Sequence, residues 1–466
     1  MGIISNLIDN NRGRMLCLPA HGHGVAIPNS FKRLLRLKAG IWDVPELPGF
    51  GGPLIAEGVV QQSQSFAADA MGAKRCWYGV NGATGLLQSA LLGVARPGEA
   101  VLIPRNAHKS LIQACVIGGL TPVIYEVPFL VDRGHNAPPD EMWLQEVIDS
   151  LPMEGLAIAA AVLLHPTYHG YALDIKPLVD QLHEVGLPVL VDEAHGTHLA
   201  AEVGEGLPPS ALKSGADLIV NSLHKSGLGL SQTAVLWLKG DLVDVTRLEQ
   251  SIELFQTSSP SSLLLASCES ALDEWNTPNG LERLKSAVQQ AREISRKLLN
   301  HGLPLLETQD PLRLILHTAS VGINGFEADK WFLDRGLIAE LPEPGCITFC
   351  LGFSPQKGVS DLINKHWQDL LAFKKDTTPF HDFVPPPSKR VVVPAVKPLR
   401  AFKGPTRIVA LSEAVGEVVA ELICPYPPGI PLVIPGEKID QAMGDWLVKQ
   451  KKMWVGNVPD QLAVLI

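Results

Sequence analysis

The chain has 466 residues, of which 46% are hydrophobic and 19% charged, enough to bury a large core and to form roughly two to four domains. Its 39 basic and 48 acidic residues leave a formal charge of −9, which argues against a partner as anionic as nucleic acid. The longest uninterrupted apolar run, residues 156–164, is strand-sized, far below the roughly 20 residues that cross a bilayer, so no membrane partner is expected.

In chain order, the start MGIISNLIDNNRGR has no basic opening and no clean apolar stretch, so it does not read as a secretory signal, and Asn6 breaks the myristoylation pattern. Residues 1–55 are rich in Gly and Pro and read as an arm that packs on another part of the chain. From 56 to 300, short β-branched runs alternate with helical stretches, the pattern of a mostly parallel sheet covered by helices. In the stretch from Pro166 to Gly196, Asp174 can cap a helix carrying Pro177 near its start, Gly186 stops it, and PVLVD follows as a buried strand. Residues 301–375 read as a smaller α/β domain, with strands around LRLIL and CITFC and a helix over ADKWFLDRGL. Residues 376–466 open on a proline-rich extended connector and continue into a last segment with a helical LSEAVGEVVAEL and a turn-rich YPPGIPLVIPGE.

Seven cysteines without a CxxC pair fit reduced thiols of a cytoplasmic protein. No metal centre is expected: Cys346 and Cys350 read as core thiols, and His21 and His23 of HGHG as structural or site-edge residues, since neither pair has further ligands nearby in sequence.

Three constellations carry chemistry. In WYGVNGATGLLQSALLGV a strand runs into a tight turn and then a helix, whose first backbone N–H groups can hold an anion, although such turns also join strands and helices without function. In LPVLVDEAHG, Asp192 stands at the carboxyl end of a predicted central strand, where open α/β sheets bind ligands; it needs a positive partner or must cap the next turn. In ADLIVNSLHKSGLGLSQTAVLWL, Lys225 lies between two predicted buried strands. Desolvation there lowers an amine toward its nucleophilic form, whereas a solvated lysine on a surface turn would fit the local sequence too. A phosphate cradle, a buried carboxylate and a lysine 33 residues beyond it are the three contacts that pyridoxal phosphate needs for its phosphate, ring nitrogen and aldehyde.

The motifs LPAHGHG, NGATG, RNAHKSL, HPTYHGYALDI, VDEAHGTH, NSLHKSG, TSSPSSLLLAS and YPPGIPLVIPGE together resemble the Orn/Lys/Arg decarboxylases, and the resemblance covers most of the chain. It implies a pyridoxal-phosphate enzyme of the aspartate-aminotransferase fold (fold type I): a large domain on a mostly parallel sheet, a smaller α/β domain and a C-terminal segment. Carried over by motif, Lys225 would hold the cofactor and Asp192 would face its ring nitrogen. His108 would stack on the ring, Ala194 would pack on the other face, and Thr167 would lie near the ring hydroxyl. Ala83, Thr84, Ser222 and His224 would hold the phosphate, with Lys225 or His108 returning a proton to the substrate. Ser258 and Ser259 would reach the phosphate of a neighbouring subunit in a homodimer or higher homo-oligomer with shared sites. His195 would face the substrate, and Glu437, with Glu343 as a weaker candidate, would read its distal cation. The implied reaction is decarboxylation of lysine, arginine or ornithine. Its alternatives are an aminotransferase, which needs an arginine such as Arg313 or Arg335 to grip the substrate carboxylate, or an inactive regulatory homologue. Three departures stand out: Ala83 offers no hydroxyl, no N-terminal wing domain is present, and WDVPEL replaces the usual DxTEL, which weakens any role for Asp43 and Glu46.

Overall fold

The computed structural model describes residue 3 and residues 13–466, apart from 39, 46, 153–154, 375–377, 381–382, 427–428 and 455. Most of the opening segment read above for targeting signals, and Glu46, therefore lie outside the described residues.

An eight-stranded sheet forms the centre of the chain. Its strands are β1 (Arg75–Gly79), β2 (Ala100–Pro104), β3 (Thr121–Tyr125), β4 (Ile158–Leu164), β5 (Val189–Asp192), β6 (Leu218–Ser222), β7 (Ala234–Leu238) and β8 (Val391–Val392), in the order β8-β3-β2-β4-β5-β6-β7-β1. The neighbours from β3 to β6 pair in parallel, while β7 is antiparallel to β6 and β1, and β8 is antiparallel to β3. Helices cover both faces, so β2, β3, β6 and β7 are buried at every position, and β2 and β7 read as continuous apolar runs. Two apolar clusters sandwich the sheet, one around Tyr78, Val191 and Trp237, the other around Leu86, Leu111 and Leu236.

A second, four-stranded antiparallel sheet is built from Leu305–Leu306, Arg313–Leu316, Cys346–Cys350 and Leu341–Glu343 and covered by the helices Gly325–Leu333 and Val359–Phe373. The N-terminal arm does more than pack. Arg14–Leu16 pairs in parallel with Leu337–Ala339, and Asn29–Leu35 is helical.

Two expectations for the C-terminal part change. The proline-rich connector is not wholly irregular: it supplies β8 and the short helix Pro398–Lys403, with Pro398 in the first turn, where a missing N–H costs nothing. LSEAVGEVVAEL does not form a helix. After a short 3-10 turn at Leu411–Glu413, Gly416 takes φ +91°, and Val418 and Val419 form bridges to Lys438 and Val464, burying Val419 in the cluster with Trp446 and Leu462. A longer helix of this part is Gln441–Met453, capped by Asp440, whose side chain accepts from Met443 N.

Candidate active site

The carboxyl ends of β1, β2, β4, β5 and β6 converge on a cleft of about 240 Å3, the place where an open α/β sheet exposes unpaired backbone groups and loop side chains to a ligand. Lining it are Gly82, Ala83 and Thr84 after β1; Asn106 and His108 after β2; Thr167, Tyr168 and His169 after β4; Asp192, Ala194 and His195 at the end of β5; and Ser222, His224 and Lys225 at the end of β6. Tyr426 and Ile430 close it from the C-terminal part.

Each wall has a local cause. Helix α1 (Gly82–Val94) starts directly after β1. Gly82 adopts φ +70°, and no side chain caps the first turn because Asn81 Nδ2 donates instead to the Phe255 carbonyl. Gly82 N donates to the Gln232 carbonyl, and the N–H groups that follow it in the first turn of α1 can meet an anion in the cleft. His108 is the N-cap of helix α2 (Lys109–Gly118): its Nδ1 accepts from Ser110 N at 3.3 Å, which leaves Nε2 to carry the proton. Burial, then the charge of Lys225, pushes His108 down to about 3, so the ring is neutral.

Asp192 is 3% exposed and accepts one backbone hydrogen bond, from Ala194 N at 3.1 Å. Burial raises its pKa and the nearby Lys225 opposes that rise. Lys225 stands in the turn between the antiparallel β6 and β7. Burial lowers its pKa, against the pull of Asp192 and Glu340.

The amine of Lys225 is held by a relay that crosses from the large sheet to the small one. Its Nζ lies 3.1 Å from His195 Nε2, and His195 Nδ1 lies 3.2 Å from Arg313 Nη2. Arginine only donates, so Nδ1 is the accepting nitrogen. Burial, Lys225 and Arg313 together keep His195 well below its usual pKa, so the ring is neutral with its proton on Nε2. That proton points at Nζ, which accepts it only as a neutral amine. Arg313 is buried on the strand Arg313–Leu316, and a Cβ on Gly170, at φ +87°, would come within 2.8 Å of its Cγ. Tyr168 tilts over His195 at 4.5 Å between centroids and donates its hydroxyl to Glu340, whose other oxygen accepts from Leu18 N.

Of the residues picked from sequence, Lys225, Asp192, His108, Ala83, Thr84, Thr167, Ala194, Ser222, His224 and His195 all line this cleft. Glu437, Ser258, Ser259, Asp43, Glu343, Arg313 and Arg335 do not. Glu437 is buried in an ion pair with Arg105, 2.8 Å away, and accepts from Ile434 N at 2.8 Å. Its carboxylate is committed inside the chain and lines a neighbouring cavity instead. Ser258 and Ser259 sit on an exposed loop outside the cleft, where Ser259 N bonds Thr257 Oγ1. Asp43 is exposed. Glu343 lines a second cavity next to the cleft. Of the two arginines considered as carboxylate grips, Arg335 stacks at 3.4 Å on Trp331 and Arg313 is engaged by His195 behind the cleft wall. The HGHG loop touches the lysine turn through Ala20 N, which donates to the His224 carbonyl at 3.1 Å, while His21 Nδ1 accepts from Gly24 N. Sequence reasoning missed Asn106, Tyr168, Tyr426 and the Arg313 relay. Asn106, Tyr168 and Tyr426 stood inside the quoted motifs RNAHKSL, HPTYHGYALDI and YPPGIPLVIPGE, whereas the contact of Arg313 with His195 carried no local signal.

The residues fit pyridoxal phosphate. Uncapped N–H groups of α1, the hydroxyl of Ser222 and His224 stand at one end of the cleft and the buried carboxylate of Asp192 lines another wall. The lysine faces the space between, and Asn106 Oδ1 is buried without a protein partner. Fold and site together define a pyridoxal-phosphate enzyme of fold type I.

The sequence profile of the Orn/Lys/Arg decarboxylase major domain matches residues 12–349, and that of the C-terminal domain of the same family matches residues 384–454; the chain belongs to this family of amino-acid decarboxylases. An arginine decarboxylase of Halalkalibacterium halodurans is 31% identical over 446 residues, 91% of this chain and 88% of that protein. One from Bacillus subtilis is 28% identical over 93% and 89% of the two chains. Among solved structures, the lysine decarboxylase of Francisella novicida superposes with a TM-score of 0.74 at 17% identity, over 91% of this chain and 74% of that one.

Proposed function

We propose that this protein decarboxylates arginine at Cα to the corresponding amine and CO2, with Lys225, Asp192 and His108 as its catalytic residues. The observation that carries the reading is the relay Arg313–His195–Lys225, which orients the amine of Lys225 in the same cleft as the buried Asp192. The choice of arginine over lysine and ornithine rests on the full-length similarity to arginine decarboxylases at 28–31% identity, against 22% for a lysine decarboxylase of Pseudomonas aeruginosa.

Lys225 would carry the cofactor covalently and Asp192 would pair with its ring nitrogen. Ala83 and Thr84 through the α1 terminus, with Ser222 and His224, would hold the phosphate. His108, Ala194 and Thr167 would contact the ring. When bound, the cofactor takes the electrons of the breaking bond to the carboxylate into its ring. The chain supplies the rest. Tyr168 and Tyr426 line the cleft and would keep water from the reacting carbon, Asp192 would balance positive charge at the ring nitrogen, and Lys225 would return a proton to Cα, with the neutral His108 ring as a packing partner. Arg313 is turned away from the substrate toward His195, which favours loss of the carboxylate over the retention that an aminotransferase requires.

A second copy of the chain completes the site in this reading, with Ser258 and Ser259 reaching the neighbour's phosphate; the exposed position of their loop outside its own cleft supports this. No described helix is long and apolar enough to cross a membrane, and all seven cysteines are free thiols, which supports a cytoplasmic location. Incubating the purified protein and pyridoxal phosphate separately with arginine, lysine and ornithine, and identifying the amine released, tests the assignment. Release from arginine at the highest kcat/KM is expected, and silence with all three despite bound cofactor refutes it.

A further inference from the structure

Beside the cofactor cleft, three segments distant in sequence bring His135, His169 and Glu343 together. His135 sits on the two-residue strand His135–Asn136, His169 follows β4, and Glu343 ends the strand Leu341–Glu343 of the small sheet. All three are buried, at 1%, 5% and 6% exposure. The two imidazoles stack with centroids 3.6 Å apart and planes 16° apart, and both Nε2 atoms address the same carboxylate oxygen, 2.6 Å from His169 and 3.1 Å from His135.

As a purely internal hydrogen-bonded group this arrangement is incomplete. Two nearly parallel rings cannot both aim an N–H along a lone pair of one oxygen, and His135 Nε2 is left buried without a hydrogen bond. A buried ring nitrogen left without a partner is costly unless something binds it. We propose that His135, His169 and Glu343 form a binding site for a divalent transition-metal ion of the zinc type, with the fourth position open to the adjoining cavity.

The donor set is the two-histidine, one-carboxylate set that zinc takes with three protein ligands and an exchangeable fourth. The candidate ligand atoms lie within 4.8 Å of one another. Bond lengths of about 2.0–2.2 Å in a tetrahedral site separate ligand atoms by roughly 3.3 Å. The present 2.6 and 3.1 Å contacts thus need only modest opening as an ion enters and the rings tilt out of their stack. A support for the ligand ring exists already: Tyr171 Oη is 3.4 Å from His135 Nδ1 and 3.5 Å from Arg133 Nη1, the outer contact that orients a ligating imidazole. The adjoining cavity, about 90 Å3 and bounded on its far side by Trp446 and Trp454, has room for a water molecule as fourth ligand. His169 also lines the cofactor cleft, so the ion would sit within one side chain of it.

The test uses the full-length holoenzyme, stripped with a chelator and dialysed to equilibrium against zinc, with metal content measured per chain. Wild type is expected to retain one zinc, and Glu343→Gln and His169→Asn to bind it about a hundredfold more weakly or worse, with the visible absorption of the bound cofactor reporting that both variants fold. As a measurement that needs no variant, cobalt loaded into wild type should show a four-coordinate ligand-field spectrum and nitrogen couplings from two imidazoles. Zinc that both variants retain equally, or cobalt without imidazole coupling, overturns the proposal. So does a wild type that takes up no zinc while Glu343→Gln raises the KM for arginine tenfold, because the carboxylate would then be reading the substrate's own cation.

Discussion

Replacing Arg313 by Gln should slow decarboxylation and move its pH dependence without removing the cofactor. The guanidinium makes a single hydrogen bond to His195 Nδ1, at 3.2 Å, between two buried groups. A hydrogen bond to a charged partner is worth about 1.5–3 kcal/mol. Without it the two imidazole tautomers become comparable, and the proton leaves the position from which it addresses Lys225. If that alignment is needed in the transition state, kcat falls by a factor of about 10 to 150. Charge adds a second effect. The positive charge of Arg313 lowers the pKa of both His195 and Lys225, after burial, so its loss lets both rise. A lysine with a higher pKa is neutral only at higher pH, so the acid limb of activity and of cofactor reloading should shift to higher pH. Arg313→Lys separates the two effects: it keeps the charge and hence the position of the limb, but loses the planar donor and hence much of kcat. The assays are CO2 release across pH 5–9 and the rate of cofactor reloading, with thermal melting as a control for the fold. Unchanged kcat and an unchanged acid limb in a folded Arg313→Gln protein would refute the relay.

Three further outcomes are expected. Lys225→Ala should bind pyridoxal phosphate without the visible absorption of the lysine-bound form, and a spectrum identical to wild type would show the lysine to be misassigned. Asp192→Asn, which keeps shape but removes the charge facing the ring nitrogen, should lower kcat about a hundredfold while the cofactor stays attached, as stopped-flow kinetics on the loaded enzyme would show. Glu437→Gln should act on stability: it removes one of the two carboxylates paired with the buried Arg105, the other being Glu126, at a cost of about 1–3 kcal/mol, and should lower the melting temperature with little change in KM for arginine. A raised KM at unchanged melting temperature would return Glu437 to the role of substrate reader.

The parts of the site legible in sequence are those that a single strand delivers. VLVD is buried at every position, so the carboxylate that ends it was bound to fall at the sheet's carboxyl edge. β6 and β7 flank the segment carrying Lys225, which made a buried lysine one of two readings of the local sequence, and the burial of the connection decides for the inward one. NGATG announces a strand-to-helix turn. What stayed hidden depends on contacts across long stretches of chain: Arg313 meets His195 over 118 positions, Tyr168 meets Glu340 over 172, and Arg105 meets Glu437 over 332. An acidic residue in a turn offers no sign of whether its partner will be a substrate cation or an arginine of its own chain, and at Glu437 that ambiguity misdirected the reading. LSEAVGEVVAEL misled for a related reason. Its valines suit either a helical stripe or alternate bridges, and the bridges win because Lys438 and Val464 are positioned by segments further along the chain.

The same division bears on how the lysine becomes reactive. The large sheet alone would give Lys225 burial and the opposing charge of Asp192, two influences that work against each other on the amine. Burial sets the direction, and the other sheet supplies the orientation: Glu340 raises the amine and Arg313 lowers it, while Arg313 fixes the histidine that contacts the amine and Glu340 holds Tyr168 over that histidine. An oriented amine is therefore a property of the docked pair of sheets. Substitutions that loosen this docking, such as a side chain at Gly170, where Cβ would meet Arg313 Cγ at 2.8 Å, should impair the chemistry even though Lys225, Asp192 and the start of α1 remain in place.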